Sequence, residues 1–246
     1  MDASIRPHHR RKDSRMIDRV PLLDAIAAEV RVCTRCALHI GRTRAVPGAG
    51  NPDAEILFIG EGPGLHEDKQ GVPFIGRSGD LLVRLLALIG LTRAEVFISN
   101  VVKCRPPDNR DPLPDEIASC ADYLDRQESA LDPLVIVTLG RFSMARTFPK
   151  AMISKIHGVA KFDARRAWLP LYHPAAVLRN PALMPDMEAD FRRILTLLSQ
   201  VRDLRAAQPP TSAAAISAII DPSPPPPADP PAPPDDDLPT VQLKLF

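Results

Sequence analysis

A continuous apolar run, Ile56-Leu57-Phe58-Ile59, passes directly into Gly60-Glu61-Gly62-Pro63-Gly64 and then into an amphipathic helical pattern. A strand with no polar alternation is buried on both faces, which is the habit of parallel sheets flanked by helices. In such sheets the loop leaving the C-terminal end of a strand is where ligands bind. Residues 60–82, GEGPGLHEDKQGVPFIGRSGDLL, give that loop glycines, carboxylates and one aromatic.

The rest of the chain repeats the alternation. Apolar spacing at Leu22, Ile26 and Val30 predicts a helix over 21–32, followed by a strand over 55–59. A helix over 78–90 turns Leu81, Leu82, Leu85, Leu86 and Ile89 inward, and 96–99 reads as a second strand. Residues 114–131 form a helix that starts at a proline, 134–139 and 168–172 are further strands, and 184–205 is the last helix. Helix and strand taking turns over short connections predict an α/β three-layer sandwich around a parallel sheet. Parallel strands then bring four loop starts to one edge: Gly60–Gly64, Asn100, Gly140-Arg141 and His173-Pro174.

The two ends differ from this body. Residues 1–19 carry six Lys/Arg against three Asp, and residues 206–246 carry one Lys against five Asp. Twelve of the last 41 residues are proline, including Pro224 to Pro227, so 206–241 reads as an extended disordered linker and 1–19 as a basic disordered start. The body, 20–205, is close to neutral, so total charge neither demands nor excludes nucleic acid and leaves any steering to a local patch. No apolar run approaches the roughly 18 residues of a membrane span, and the first residues lack the apolar stretch of a secretion signal. A cytoplasmic monomer without a membrane partner is expected.

Cysteine usage points to metal. Cys33 and Cys36 form a C-x-x-C pair, and Cys104 and Cys120 stand in a second segment with fifteen residues between them. Four soft thiolates suit an iron–sulfur cluster or a tetrahedral zinc. Buried free cysteines are the plainer alternative.

Three segments together carry a resemblance: residues 60–82, then SNVVKCRPPDNRDPLPDEIASC, then HPAAVLRNP. They resemble the signature segments of the family 4 uracil-DNA glycosylases, the iron–sulfur branch of the uracil-DNA glycosylase superfamily, and the likeness runs from about Cys33 to the last helix. It implies a uracil-DNA glycosylase-like α/β fold with a central four-stranded parallel sheet, formed by 20–205. It also implies a 4Fe-4S cluster on Cys33, Cys36, Cys104 and Cys120, with zinc as the runner-up, in a structural role. The implied activity is hydrolysis of the N-glycosidic bond of uracil in single- and double-stranded DNA, which leaves an abasic site.

The implied site follows residue by residue. Phe74 would stack on the flipped uracil, Asn100 would read its O4 and N3-H edge, and His173 would stabilise the anion developing on O2. Glu61 and Glu67 align with acidic residues that the family uses, with the sugar cation and the attacking water left undivided between them. Gly62 stands where other branches place an Asp, and its backbone amide is a second candidate for O2. Arg77 and Ser78 would meet phosphate at a helix start, and Leu178 beside Arg179 would wedge into the duplex. A DNA-crosslinking branch of the superfamily carries an inserted loop ending in histidine. Residues 103–112 contain no histidine, so turnover is expected.

A second class of function fits the last residues. Gln242, Leu243, Leu245 and Phe246 resemble the Q-L-x-L-F peptide by which bacterial repair proteins bind the sliding clamp, here on a proline-rich tether. A clamp-tethered DNA-binding module without catalysis is therefore the competing reading, as is a glycosylase-like domain of nucleotide or RNA metabolism.

Overall fold

The computed structural model describes residues 18–207. Residues 1–17 of the basic start, the linker beyond 207 and the peptide 242–246 lie outside the described residues, while Asp18 and Arg19, expected in the disordered start, cap and open the first helix. Helix α1 (Arg19–Val32) is followed by the short α2 (Leu38–Gly41), and then a sheet forms from β1 (Ala49–Gly50), β2 (Ile56–Gly60), β3 (Phe97–Asn100), β4 (Val135–Leu139), β5 (Lys161–Phe162) and β6 (Ala167–Leu171). The strand order is β1-β3-β2-β4-β6-β5. Pairings β2–β3, β2–β4 and β4–β6 are parallel, while β1 and β5 are antiparallel additions at the two edges.

The expected four parallel strands therefore form the centre of a six-stranded mixed sheet. Both added strands are two residues long. Such a segment is too short to display an alternation, and its shortness also blunts an edge that would otherwise invite pairing with another chain.

Every residue of β2, β3 and β4 is buried. Side chains alternate between faces, so Ile56 and Phe58 join one apolar cluster while Leu57 and Ile59 join the other. On the first face lie α4 (Arg77–Leu88), α8 (Pro174–Arg179) and α9 (Met184–Ala206), with Leu82, Leu86, Val177, Phe191 and Ile194 inward. On the second lie α1 and α5 (Pro114–Leu131), with Ile26, Val30, Tyr123 and Leu124 inward. The helices α3 (Leu65–Gln70), α6 (Arg141–Ala145) and α7 (Ile153–Ile156) are short and cap the loops around the C-terminal strand ends. No helix among the described residues is long and apolar enough to cross a membrane.

Candidate active site

Gly60 pairs with Asn100 in register across β2 and β3. The loops that follow β2, β3, β4 and β6 open onto one cleft of about 660 Å³, lined by Glu61, Gly62, Glu67, Phe74, Ser78, Asn100, Arg141, Tyr172, His173 and Arg179 among others. That is roughly the size of a site for a nucleotide-sized ligand.

Asn100 ends β3 and is 2% exposed. Its Oδ1 is buried and has no hydrogen-bond partner among the described residues. A buried amide oxygen is normally satisfied, and an orphan at a cleft wall invites a ligand's donor. The close quarters depend on Gly60: a Cβ there would lie 2.4 Å from Asn100 Oδ1 and 2.6 Å from Phe74 Cε2. Only glycine lets the amide and the aromatic ring converge on the same strand end.

His173 caps the N-terminus of α8, its Nδ1 accepting from the N–H of Ala175 at 3.1 Å. An acceptor Nδ1 means that the neutral ring carries its proton on Nε2. Burial, with a smaller push from Arg179, lowers the His173 pKa from 6.5 to about 4, so the neutral donor tautomer prevails near pH 7. Its ring centroid lies 5.6 Å from that of Phe74.

The two glutamates differ in kind. Glu67 Oε2 accepts from Gly64 N at 3.1 Å, and its Oε1 accepts from Ile75 N and Gly76 N at 3.2 and 3.3 Å. Both oxygens are thus spent on the crossover loop. Glu61 is half-buried; its carbonyl oxygen accepts from Val102 N at 3.1 Å, while its carboxylate makes no hydrogen bond or ion pair among the described residues. Burial first, then the neighbouring Asp111, raises its pKa above the ordinary carboxylate value.

Arg141 pairs with Asp111 in the cleft lining, which also includes exposed Arg179 and Ser78. Exposed Arg77 begins α4 but does not line the cleft. Leu178 is half-buried against the first apolar cluster and does not line it either.

The four cysteines meet on the second face of the sheet, where Cys33, Cys36, Cys104 and Cys120 line one small cavity with Arg35, Lys103 and Tyr123. Donors surround the sulfurs: Arg42 Nη1 approaches Cys104 Sγ at 3.2 Å, Lys103 N approaches Cys120 Sγ at 3.3 Å, and Arg35 N approaches Cys33 Sγ at 3.5 Å. Burial raises the Cys120 thiol to about 11, with Lys103 opposing it.

The sequence profile of the Uracil DNA glycosylase superfamily matches residues 47–199. A type-4 uracil-DNA glycosylase of Archaeoglobus fulgidus is 46% identical over 181 residues, covering 70% of this chain and 91% of that one. One from Saccharolobus solfataricus is 48% identical over 188 residues, with 72% and 87% covered. The chain belongs to the type-4 family of the uracil-DNA glycosylase superfamily. A type-5 uracil-DNA glycosylase of Thermus thermophilus is 32% identical over 188 residues.

The superfamily segment holds every cleft residue together with Cys104 and Cys120, and it begins after Cys33 and Cys36. Of the residues that the type-4 resemblance suggested, Glu61, Gly62, Glu67, Phe74, Ser78, Asn100, His173 and Arg179 share the cleft. Sequence reasoning missed Tyr172, Asp111 and Arg110. Tyr172 sits directly before His173, so its place at the strand end was the available signal. Arg110 anchors its loop by a two-point pair with buried Glu116, a contact that nothing local in the sequence announces.

Proposed function

We propose that the protein hydrolyses the N-glycosidic bond of uracil in DNA, acting in the cytoplasm on bases flipped out of the duplex or presented in single strands. The observation that carries this reading is the orphaned Asn100 Oδ1, buried at the cleft wall beside Phe74. Uracil N3-H would supply the missing donor and uracil O4 would accept from the Asn100 amide N–H, whereas cytosine presents a donor where uracil has O4. Flipping costs a few kcal/mol of stacking, less at a mismatch, and the Phe74 face returns part of it by stacking on the base.

Bond breaking places negative charge on uracil O2 and positive charge on the sugar. The His173 Nε2–H, fixed by the Ala175 bond to the other ring nitrogen, is the donor that would meet the developing oxyanion. Glu61, with no partner of its own, is the carboxylate free to face the sugar cation or orient the attacking water. Glu67, held by three backbone N–H groups, shapes the loop instead. Arg77, Ser78 and Arg179 would take phosphates along the rim. Leu178 would have to leave its apolar packing to serve as a wedge.

The four cysteines fit a 4Fe-4S cluster. Their shared cavity and the N–H donors aimed at the sulfurs suit thiolate ligands, with zinc as the runner-up occupant. Such a cluster, when bound, supplies a covalent brace between the chain after α1, the loop after β3 and helix α5. The C-terminal residues Gln242, Leu243, Leu245 and Phe246 are read from sequence alone as a sliding-clamp peptide. Loss of clamp binding on deleting 242–246 supports that part, and unchanged binding removes it.

The activity is tested by incubating the purified full chain with an oligonucleotide holding one uracil, then cleaving abasic sites with alkali. Strand scission at uracil and none at thymine is the expected outcome. A clamp-tethered binder without catalysis would retain the oligonucleotide uncut.

A further inference from the structure

Phe74 is a non-glycine residue at φ +52°, a left-handed conformation that an aromatic side chain seldom adopts. Such a residue persists only where its surroundings over-determine it. Here the peptide groups from Pro73 to Gly76 are held by two side chains. On the carbonyl side, Arg93 Nη1 donates to Phe74 O at 2.7 Å and Nη2 donates to Pro73 O. On the amide side, Glu67 Oε1 takes the N–H groups of Ile75 and Gly76. The first turn of α4 comes close to the same carbonyl, and only glycine fits at Gly79, where a Cβ would lie 2.0 Å from Phe74 O.

Arg93 itself opens the 3₁₀ turn Arg93–Glu95 ahead of β3, is half-buried, and does not line the cleft. Its planar fork reaches two successive carbonyl oxygens at once, which an ammonium group cannot reproduce with the same geometry. We propose that Arg93 is a positioning residue for base capture: by bridging the carbonyl oxygens of Pro73 and Phe74 it holds Phe74 in the left-handed backbone conformation that sets its ring at the wall of the cleft. The inference rests on the reading of that cleft as the uracil site.

Without the bridge, the Phe74 peptide is free to relax toward negative φ and the ring to turn from the face it offers a base. Capture should suffer more than bond breaking, because His173 and Glu61 keep their places. The test measures single-turnover excision over a range of enzyme concentrations for the full-length wild type, Arg93→Ala, Arg93→Lys, Phe74→Ala and the Arg93→Ala/Phe74→Ala pair. Arg93→Ala is expected to raise the half-saturating enzyme concentration about tenfold with the maximal rate changed less than about twofold. Arg93→Lys should fall between it and wild type, and millimolar guanidinium should restore much of the loss in Arg93→Ala. In the Phe74→Ala background the Arg93 change should add nothing, since two residues acting through one contact are not additive.

Equal losses from Arg93→Ala in both backgrounds would overturn the proposal, because they would mark a general structural role. A crystal structure of Arg93→Ala, or of Arg93→Lys should the alanine variant not fold, provides a readout independent of substrate. Phe74 keeping its positive φ there would also overturn it, and a shift to negative φ would support it. Absence of uracil release by the wild type would instead strike the proposed activity and leave this crystallographic comparison to decide on Arg93.

Discussion

Lys103 Nζ donates to the carbonyl oxygen of Asn100 at 2.9 Å, while the N–H of the same lysine donates to Cys120 Sγ at 3.3 Å. One residue thus joins the cysteine cavity to the strand end that carries Asn100, the proposed base reader. Lys103 is 1% exposed, and its ammonium also reaches Ser99 Oγ at 2.6 Å and Gln127 Oε1 at 2.8 Å. Burial lowers its pKa to about 8. Replacing it by methionine removes the ammonium from three buried oxygens, of which Gln127 Oε1 keeps only the Ser99 hydroxyl at 2.8 Å, so Lys103→Met should cost about 1–3 kcal/mol in urea unfolding and slow excision by loosening Asn100. Unchanged stability would show that these contacts are not maintained in solution.

Glu61 sets a pH limit. Its carboxyl titrates above the ordinary carboxylate value because it is buried and faces Asp111. In the proposed role the ionised form stabilises the sugar cation or orients water, so excision should fall as pH drops through this raised pKa. Glu61→Gln should slow the reaction about 10²-fold or more and abolish that acid limb. A limb that survives in the variant would assign it to another group.

His173 sets a second, separable dependence, on stability. Unfolded, the imidazole titrates near 6.5; folded, near about 4. Between these values the unfolded chain binds the extra proton, so stability is full above about 6.5 and falls as pH drops towards 4. Denaturant titrations at about pH 7 and about pH 5 should show wild type losing about 1–2 kcal/mol more than His173→Gln over that interval. Equal losses would contradict the buried neutral ring.

The cysteines predict a coloured protein. Anaerobically purified enzyme should absorb broadly near about 400 nm, and Cys120→Ala should lose both that absorbance and several degrees of thermal stability. A colourless wild type containing stoichiometric zinc would favour the runner-up metal.

Much of this was legible in the chain. The run of apolar residues in β4 and the proline that opens α5 announced themselves, because burial on both faces and a missing N–H are properties of single segments. Asn100 and His173 could be placed at strand ends by the same logic. The two-residue edge strands could not be read, as they exist only through their neighbours. Glu67 reads in the sequence as a catalytic carboxylate, and its three backbone partners, up to nine residues away, are contacts that no local pattern encodes. Arg93 gave no sign at all: its reach to Pro73 and Phe74 crosses about twenty residues and the whole of α4, and no local periodicity encodes it.

In the proposed mechanism Asn100, through its unpartnered Oδ1, selects uracil for excision. Single-turnover release of free uracil from a U·G duplex, measured for wild type and for Asn100→Ala at saturating enzyme, tests it most directly. Rapid release by wild type and a drop of about 10²-fold or more in a folded Asn100→Ala variant are expected. Equal rates in the two proteins, or no uracil released by wild type, would contradict the account.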